Sequence, residues 1–258
     1  MMRKAAAIAL GLFLAGVVCL AQAQIPNVKF LGSCSQLGND QFTKLLVHAD
    51  GTNGSNIFRD SSPAARVVTA AGAAQVDTSQ KVFGTGSANF GAVSGNYLTS
   101  PATADWNLGT GAFTFDFRFR PTSTPSLLAL AQSSTGAGST LLGYGIFLFP
   151  PNGINFTRWN GDGGSNGVNV TTAPALTVNV WHHLAIARVG ATWGMFQNGA
   201  SQTISNNGVG AGSIPSSGDL RIGSGATTAT FGSIDEFRLS NVSRWGSSFP
   251  VPVAAYCP

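Results

Sequence analysis

The sequence predicts an all-β chain built as two antiparallel sheets packed face to face in a sandwich. Three observations carry that prediction. Phe113–Arg120 places Phe at every odd position and Thr, Asp, Arg and Arg at the even ones, so four rings share one face of a strand and the polar groups share the other. Asn-Gly pairs recur at Asn53, Asn152, Asn160, Asn166, Asn198 and Asn207, each offering the positive-φ residues that tight hairpin turns require. Charged residues make up 9% of the 258, beside 33 Gly and 12 Pro, where ordinary domains carry about 25% charge. The aromatic share of 10% excludes a disordered tail, and the load of Gly, Asn, Ser and Thr speaks against a helical bundle.

Along the chain, residues 1–23 read as a secretory signal. Arg3 and Lys4 give the basic start, Ala5–Leu20 is apolar, and Ala21-Gln22-Ala23 supplies the small residues that a signal peptidase reads. Cleavage after Ala23 leaves a mature chain from Gln24 that is secreted, extracellular or periplasmic, with no membrane span. Residues 24–42 form a lead-in, 43–246 the sandwich and 247–258 a C-terminal tail carrying Cys257, where Pro250 and Pro252 oppose a further strand or helix. Without Arg3 and Lys4 the balance is 12 basic against 10 acidic residues with no basic cluster, so nucleic acid is not an expected partner.

Within the sandwich, Tyr144–Phe149 is a strand turned by Asn152-Gly153 towards Ile154–Trp159. A further hairpin pairs Trp181–Val189 with Thr192–Phe196 and is followed by a Gln197-Asn198-Gly199 turn. Once Cys19 leaves with the signal, Cys34 and Cys257 remain, and in an oxidising compartment they are expected to form a disulfide. Free thiols or a metal site are the alternatives. A bridge closing so long a loop is worth on the order of 5 kcal/mol in the chain-entropy account.

Four stretches together resemble the laminin-G-like, concanavalin A-like jelly-roll domains of bacterial and phage surface proteins. They are Leu45–Gly51, Phe113–Pro121, Trp181-His182-His183-Leu184-Ala185 and Gly232–Ser240, with Ser243-Arg244-Trp245 fitting the terminal strand. Order and spacing agree over residues 43–246. The resemblance implies two antiparallel sheets with the first and last strands adjacent, which brings Cys34 and Cys257 near one another. One departure is Asn198-Gly199, where the family often has Asp-Gly.

Catalysis is not expected. Glycoside hydrolysis needs two carboxyl groups on one bond; the chain has a single Glu, Glu236, and its neighbour Asp235 is expected to point to the opposite face of the same strand. Two Asp residues from distant loops are the remaining route to a hydrolase. Gly163–Gly167 matches a nucleophile-elbow pattern literally, but no helix follows it, so it reads as a loop. His182 and His183 are strand neighbours that diverge, which is wrong for a shared metal.

Binding is the remaining role. Asp235 shares strand parity with Phe237 and Leu239 and is therefore expected on the core face, where an ionised carboxylate needs a partner. A structural calcium ion held by Asp235 and Asp50 is one solution, since related domains carry calcium at the sandwich rim; capping of loop N–H groups or pairing with an Arg such as Arg66 is the other. Trp159, with Asn160 and Asp162 beside it, has the composition of a sugar site: a ring for apolar contact and planar polar groups for hydroxyls. The alternative is that Trp159 closes the end of the core. Asp116, Arg118 and Arg120 are expected to form a solvated ion-pair face. The functional expectation is a secreted, non-catalytic module recognising a glycan at a cell surface or matrix. A structural or protein-interaction module of an adhesin or virion-associated assembly, with a surface protein as partner, is the alternative.

Overall fold

The computed structural model describes residues 34–35, 38–91, 93–123, 128–149, 153–172, 174–223 and 230–257. The expected signal segment and the start of the lead-in lie outside them. In chain order the strands are β1 (Cys34–Ser35), β2 (Thr43–Val47), β3 (Thr69–Ala71), β4 (Gln75–Asp77), β5 (Ser87–Asn89) and β6 (Tyr97–Ser100). Next come β7 (Phe113–Pro121), β8 (Leu128–Thr135), β9 (Leu142–Phe149), β10 (Gly153–Asn160), β11 (Ser165–Thr172) and β12 (His182–Val189). The last are β13 (Thr192–Gln197), β14 (Ala200–Ser201), β15 (Thr203–Asn207), β16 (Leu220–Ile222), β17 (Gly232–Ser240) and β18 (Ala255–Tyr256). Helical structure among the described residues is confined to single 3-10 turns at Ala104–Trp106 and Gly138–Thr140.

Two large sheets carry the fold. One runs β15-β11-β10-β9-β8-β16-β6-β3; the other runs β14-β13-β12-β7-β17-β5-β4, with β2 also on β17. All their pairings are antiparallel. The first and last long strands, β2 and β17, are neighbours, with Val47 opposite Phe237.

The alternation in β7 does what its pattern requires. Phe113, Phe115, Phe117 and Phe119 all enter the core, and β12 sets Leu184 against Phe117 and Ile186 against Phe115. From the facing sheet Tyr144 stacks on Phe156 with centroids 5.6 Å apart. Each ring buried between the layers removes apolar area worth roughly 25 cal/mol per Å².

Turn chemistry holds at Asn198 and Gly199, where φ is 51° and 76°. It fails at Asn166-Gly167, which lies inside β11 opposite Arg158 and Thr157. The β10–β11 turn falls earlier, where Gly161 and Gly163 take positive φ, so no turn is left for Asn166-Gly167 to make. The tail also differs from expectation: beyond Pro250 and Pro252, β18 pairs in parallel with β1, Cys34 opposite Ala255 and Ser35 opposite Tyr256.

The largest departure is in β17. Its register against β7 shifts between Asp235 and Arg238, and Glu236 sits at φ 52°, so the strand carries a bulge. Parity flips there. Ile234 before the bulge and Phe237 and Leu239 after it all face the core, and Asp235 is on the outer face, opposite Arg118. The expectation that Asp235 points inward with Phe237 is therefore corrected by one inserted residue.

Candidate functional site

The outer faces of the two sheets are chemically opposite. On the sheet containing β7 and β17, the outer face holds the charged residues, and the tail covers them. Arg238 donates Nε to Asp116 Oδ1 at 2.8 Å and Nη2 to Asp116 Oδ2 at 2.7 Å, and both residues are 0% exposed. Arg238 Nη1 reaches Gly38 O at 3.0 Å, and its guanidinium lies 3.7 Å from the Tyr256 ring centroid. The Tyr256 hydroxyl donates to Asp116, and its backbone N–H donates to Glu236 Oε2 at 2.9 Å. Arg118 donates to Pro252 O. Further along, Trp245 stacks on Phe249, centroids 3.8 Å apart, against Phe196, Ala185 and Ala187. Of the expected solvated face of Asp116, Arg118 and Arg120, Asp116 is interior, because the chain ends fold over it, and the two arginines are half-buried.

Asp235 and Glu236 lie on this same covered face, not on opposite faces, since the bulge turns both outward. Glu236 Oε1 meets His48 Nδ1 at 2.7 Å. Burial pulls the His48 ring down, and the hydrogen bond and charge of Glu236 override it, leaving it raised. Burial pushes Asp235 up to about 7, against the opposing Val82 N–H bond. Burial also pushes Asp116 up, but the Arg238 guanidinium and His183 hold it well below the usual carboxylate range. His183 Nε2 is 3.7 Å from Asp116 Oδ2, while His182 turns away to Thr177 O, so the two rings diverge as strand parity requires.

The residues proposed for calcium both bind one loop. Asp50 Oδ1 accepts from the N–H groups of Thr85 and Gly86, and Asp235 Oδ2 accepts from Val82 at 2.7 Å and Phe83 at 3.2 Å. Asp235 Oδ1 is buried with no hydrogen-bond partner. Among the described residues no group of three His, Cys, Asp or Glu side chains is placed to hold a metal ion. Arg66 bonds Asp105 instead of either aspartate.

The outer face of the other sheet is open to a different chemistry. With Ile154, Phe156, Tyr144, Ile146, Val168 and Val170 in the core, the alternate positions face outward. They are Gly153, Asn155, Thr157 and Trp159 on β10; Gly143, Gly145, Phe147 and Phe149 on β9; and Ser165, Gly167 and Asn169 on β11. Phe147 meets Trp159 edge-on at 5.9 Å and Phe149 at 6.1 Å, making a continuous aromatic stripe. Phe149 is 40% exposed and Trp159 is partly exposed, while Phe147 between them is buried at 8% exposure. Gly145 permits the stripe: a Cβ there would collide with the Phe147 ring and stand 2.9 Å from Trp159 Cη2. Next to it, Thr157 Oγ1 donates to Asn155 Oδ1 and Asn155 Nδ2 donates to Asn169 Oδ1.

The three residues expected around a sugar are divided. Trp159 is on the outer face. Asn160 has the opposite parity and donates to Asn166 Oδ1 at 3.1 Å, an oxygen it shares with Arg158. Asp162 closes its own turn by accepting from Gly164 N at 2.8 Å. Sequence reasoning missed Phe147, Phe149, Asn155, Thr157 and Asn169 as companions of Trp159. Part of the signal was present, since parity from Ile154 and Phe156 puts Asn155 and Thr157 on its face, whereas Phe147, Phe149 and Asn169 join it only through the cross-strand register. Elsewhere, a cleft of about 300 Å³ is lined by Lys44, Asp105, Asn107 and Asn241, away from the stripe.

Two antiparallel sheets closed by pairing of the first and last long strands define a lectin-type jelly roll. The chain belongs to the concanavalin A-like lectin/glucanases superfamily: a laminin G-type family model of that description matches residues 90–245, more than half of the chain. No curated protein matches it significantly. Among solved structures it is similar to the receptor binding domain of botulinum neurotoxin C/D mosaic serotype, with TM-score 0.59 and 11% identity over 79% of this chain and 49% of that one. The binding domain of Paraclostridial Mosquitocidal Protein 1 aligns at TM-score 0.58 and 11% identity, covering 78% and 49%. The botulinum neurotoxin serotype D ligand binding domain in complex with N-acetylneuraminic acid aligns at 0.58 and 12%, covering 79% and 48%. The chain thus spans about half the length of these structures, and at such identities the likeness is one of fold. Among the described residues no helix is long and apolar enough to cross a membrane.

Proposed function

We propose that this chain is a secreted, non-catalytic module that recognises carbohydrate at a cell surface or in a matrix, through the outer face around Trp159. The observation that carries the reading is the stripe Trp159–Phe147–Phe149 lying over Gly145. Apolar ring faces beside amide and hydroxyl groups suit the C–H and O–H faces of a sugar. Of the structural neighbours, the domain held with N-acetylneuraminic acid supports a surface-binding role. The non-catalytic part rests on burial: Asp116 and Asp235 are 0% exposed and Glu236 3%, all on the face that the tail covers.

Export and a Cys34–Cys257 bridge belong to the same proposal. They are supported by the signal-like residues 1–23 and by the pairing of Cys34 opposite Ala255, two residues before Cys257. A structural calcium ion at Asp50 and Asp235 has one point of support, the unpartnered Asp235 Oδ1. Each carboxylate already accepts loop N–H groups, so an ion would use their remaining oxygens. An unchanged melting temperature between chelator and excess calcium would remove it.

A glycan array tests the function. Selective binding, weakened at least tenfold in Trp159→Ala, is the expected result; a stacked aromatic ring contributes on the order of 1 kcal/mol or more beyond area burial. Silence across the array, together with retention of a protein partner, would favour an interaction module instead.

A further inference from the structure

We propose that Asn207-Gly208, at the free edge of the sheet that carries Trp159, is a self-modification site: the Asn207 side-chain amide is lost as ammonia through a succinimide and replaced by aspartate or isoaspartate. Six Asn-Gly pairs stand in the sequence, and by sequence alone they are equivalent. The reaction needs two groups free at once, the glycine N–H as nucleophile and the asparagine amide as its target. Glycine leaves that nitrogen unshielded by a Cβ, and a hydrogen bond held by either group opposes the attack.

The fold separates the pairs. Asn53 Oδ1 accepts from Thr78 N–H at 3.1 Å, and Gly54 N–H donates to Val76 O at 2.8 Å. Asn160 donates to Asn166 Oδ1 at 3.1 Å, and Gly161 N–H donates to Leu141 O at 2.9 Å. Asn166 Oδ1 also holds Arg158, and Gly167 is paired on both sides, with Thr157 and with Asn207. Asn198 Oδ1 accepts from His183 N–H at 2.9 Å, and its Nδ2 meets His182 Nδ1 at 3.4 Å. Asn152 lies outside the described residues. Among the described pairs, Asn207-Gly208 alone has neither restraint. Both residues are exposed, and neither the Asn207 side chain nor the Gly208 N–H is hydrogen-bonded.

The peptide between them is free to turn. β15 is an edge strand and Asn207 is its last residue, so its pairing ends opposite Gly167. The next anchor is Val209, 2% exposed, whose N–H and that of Gly210 donate to Asn206 Oδ1 at 3.1 and 3.2 Å. Gly208 is demanded by the turn itself: its φ is 81°, and a Cβ would stand 2.8 Å from Asn166 Nδ2. In the reaction the Gly208 nitrogen bonds to Asn207 Cγ and gives up its proton, the Cγ–NH2 bond breaks, and ammonia leaves. Water then opens the ring, at the Cγ carbonyl to give aspartate or at the backbone carbonyl to give isoaspartate, with no oxidant or reductant. Either product adds a carboxylate, ionised at neutral pH, to the sheet edge.

Ageing the full mature chain in heavy-oxygen water at mildly alkaline pH tests this, in buffer and in urea, with peptide mass mapping and enzymatic methylation of isoaspartate. In buffer, Asn207 should convert at least tenfold faster than Asn53, Asn160, Asn166 or Asn198, taking up one solvent oxygen, because the folded state protects those four. In urea the five rates should converge to within about threefold as that protection is lost. Asn207→Ser should abolish the acidic form of this peptide, with an unfolding midpoint near the parent's. A rate in buffer equalled or exceeded at any of the other four would overturn selection by the fold. Aspartate at Asn207 without isoaspartate would overturn the ring route. An Asn207 peptide unchanged in buffer but converted in urea would overturn the site.

Discussion

Truncating Asp116 to Ala isolates the interaction that fastens both chain ends to the sandwich. The substitution removes two carboxylate–guanidinium bonds, of 2.8 and 2.7 Å, and the acceptor of the Tyr256 hydroxyl. Arg238 stays behind at 0% exposure, keeping Gly38 O and the Tyr256 ring as partners. Breaking a buried pair by removing one member costs about 3–5 kcal/mol, because the surviving charge is uncompensated. Against a total stability of about 5–15 kcal/mol, that is a large share, and in a domain of this size it corresponds to a fall in Tm on the order of 10 °C. Equilibrium urea unfolding measures it. The control is Asp116→Leu with Arg238→Met, which removes both charges and should recover most of the loss, since apolar replacements of buried pairs are often neutral or stabilising. A loss below about 1 kcal/mol in Asp116→Ala, the range of exposed pairs, would show that the tail does not seal this face.

Three further outcomes are expected. Because Asp116 is held below its unfolded value of about 3.9, its pair contributes fully above that pH, and the contribution is lost as pH falls through the lower folded value; the acid limb of a stability–pH profile should be shallower in Asp116→Asn than in the parent. Gly145→Val should lift Phe147 and Trp159 off the sheet, since even a Cβ stands 2.9 Å from Trp159 Cη2; altered Trp fluorescence and weakened glycan binding together report it, and an unchanged spectrum would contradict the packing. Gly38→Ala places a Cβ 2.5 Å from Tyr256 Cβ, and overpacking of this kind costs about 1–3 kcal/mol. Faster hydrogen exchange at Tyr256 N–H, which is bound to Glu236, is the readout.

Much of the fold was legible because its signals are local. The Phe alternation in β7 and the Asn198-Gly199 turn after β13 each sit within a few contiguous residues, and period two or a positive φ needs no distant partner to be read. The faces were harder. Asp235 was misplaced because parity counting assumes an unbroken strand, and nothing in Ile234-Asp235-Glu236-Phe237 announces that Glu236 adopts φ 52°. Asn160 was grouped with Trp159 by adjacency, although adjacency in a strand means opposite sides.

Taken alone, the order of residues determined that the chain makes two apolar-faced sheets, which rings they bury and where several hairpins turn, since these depend on spacing along a few bonds. Only tertiary structure decided which outer face meets solvent. That outcome depends on a one-residue bulge in β17 and on Gly38 and Tyr256, segments at the two ends of the chain, closing over Asp116 and Arg238. Burial of those charges is favourable only when both ends arrive together, a condition that no local pattern encodes.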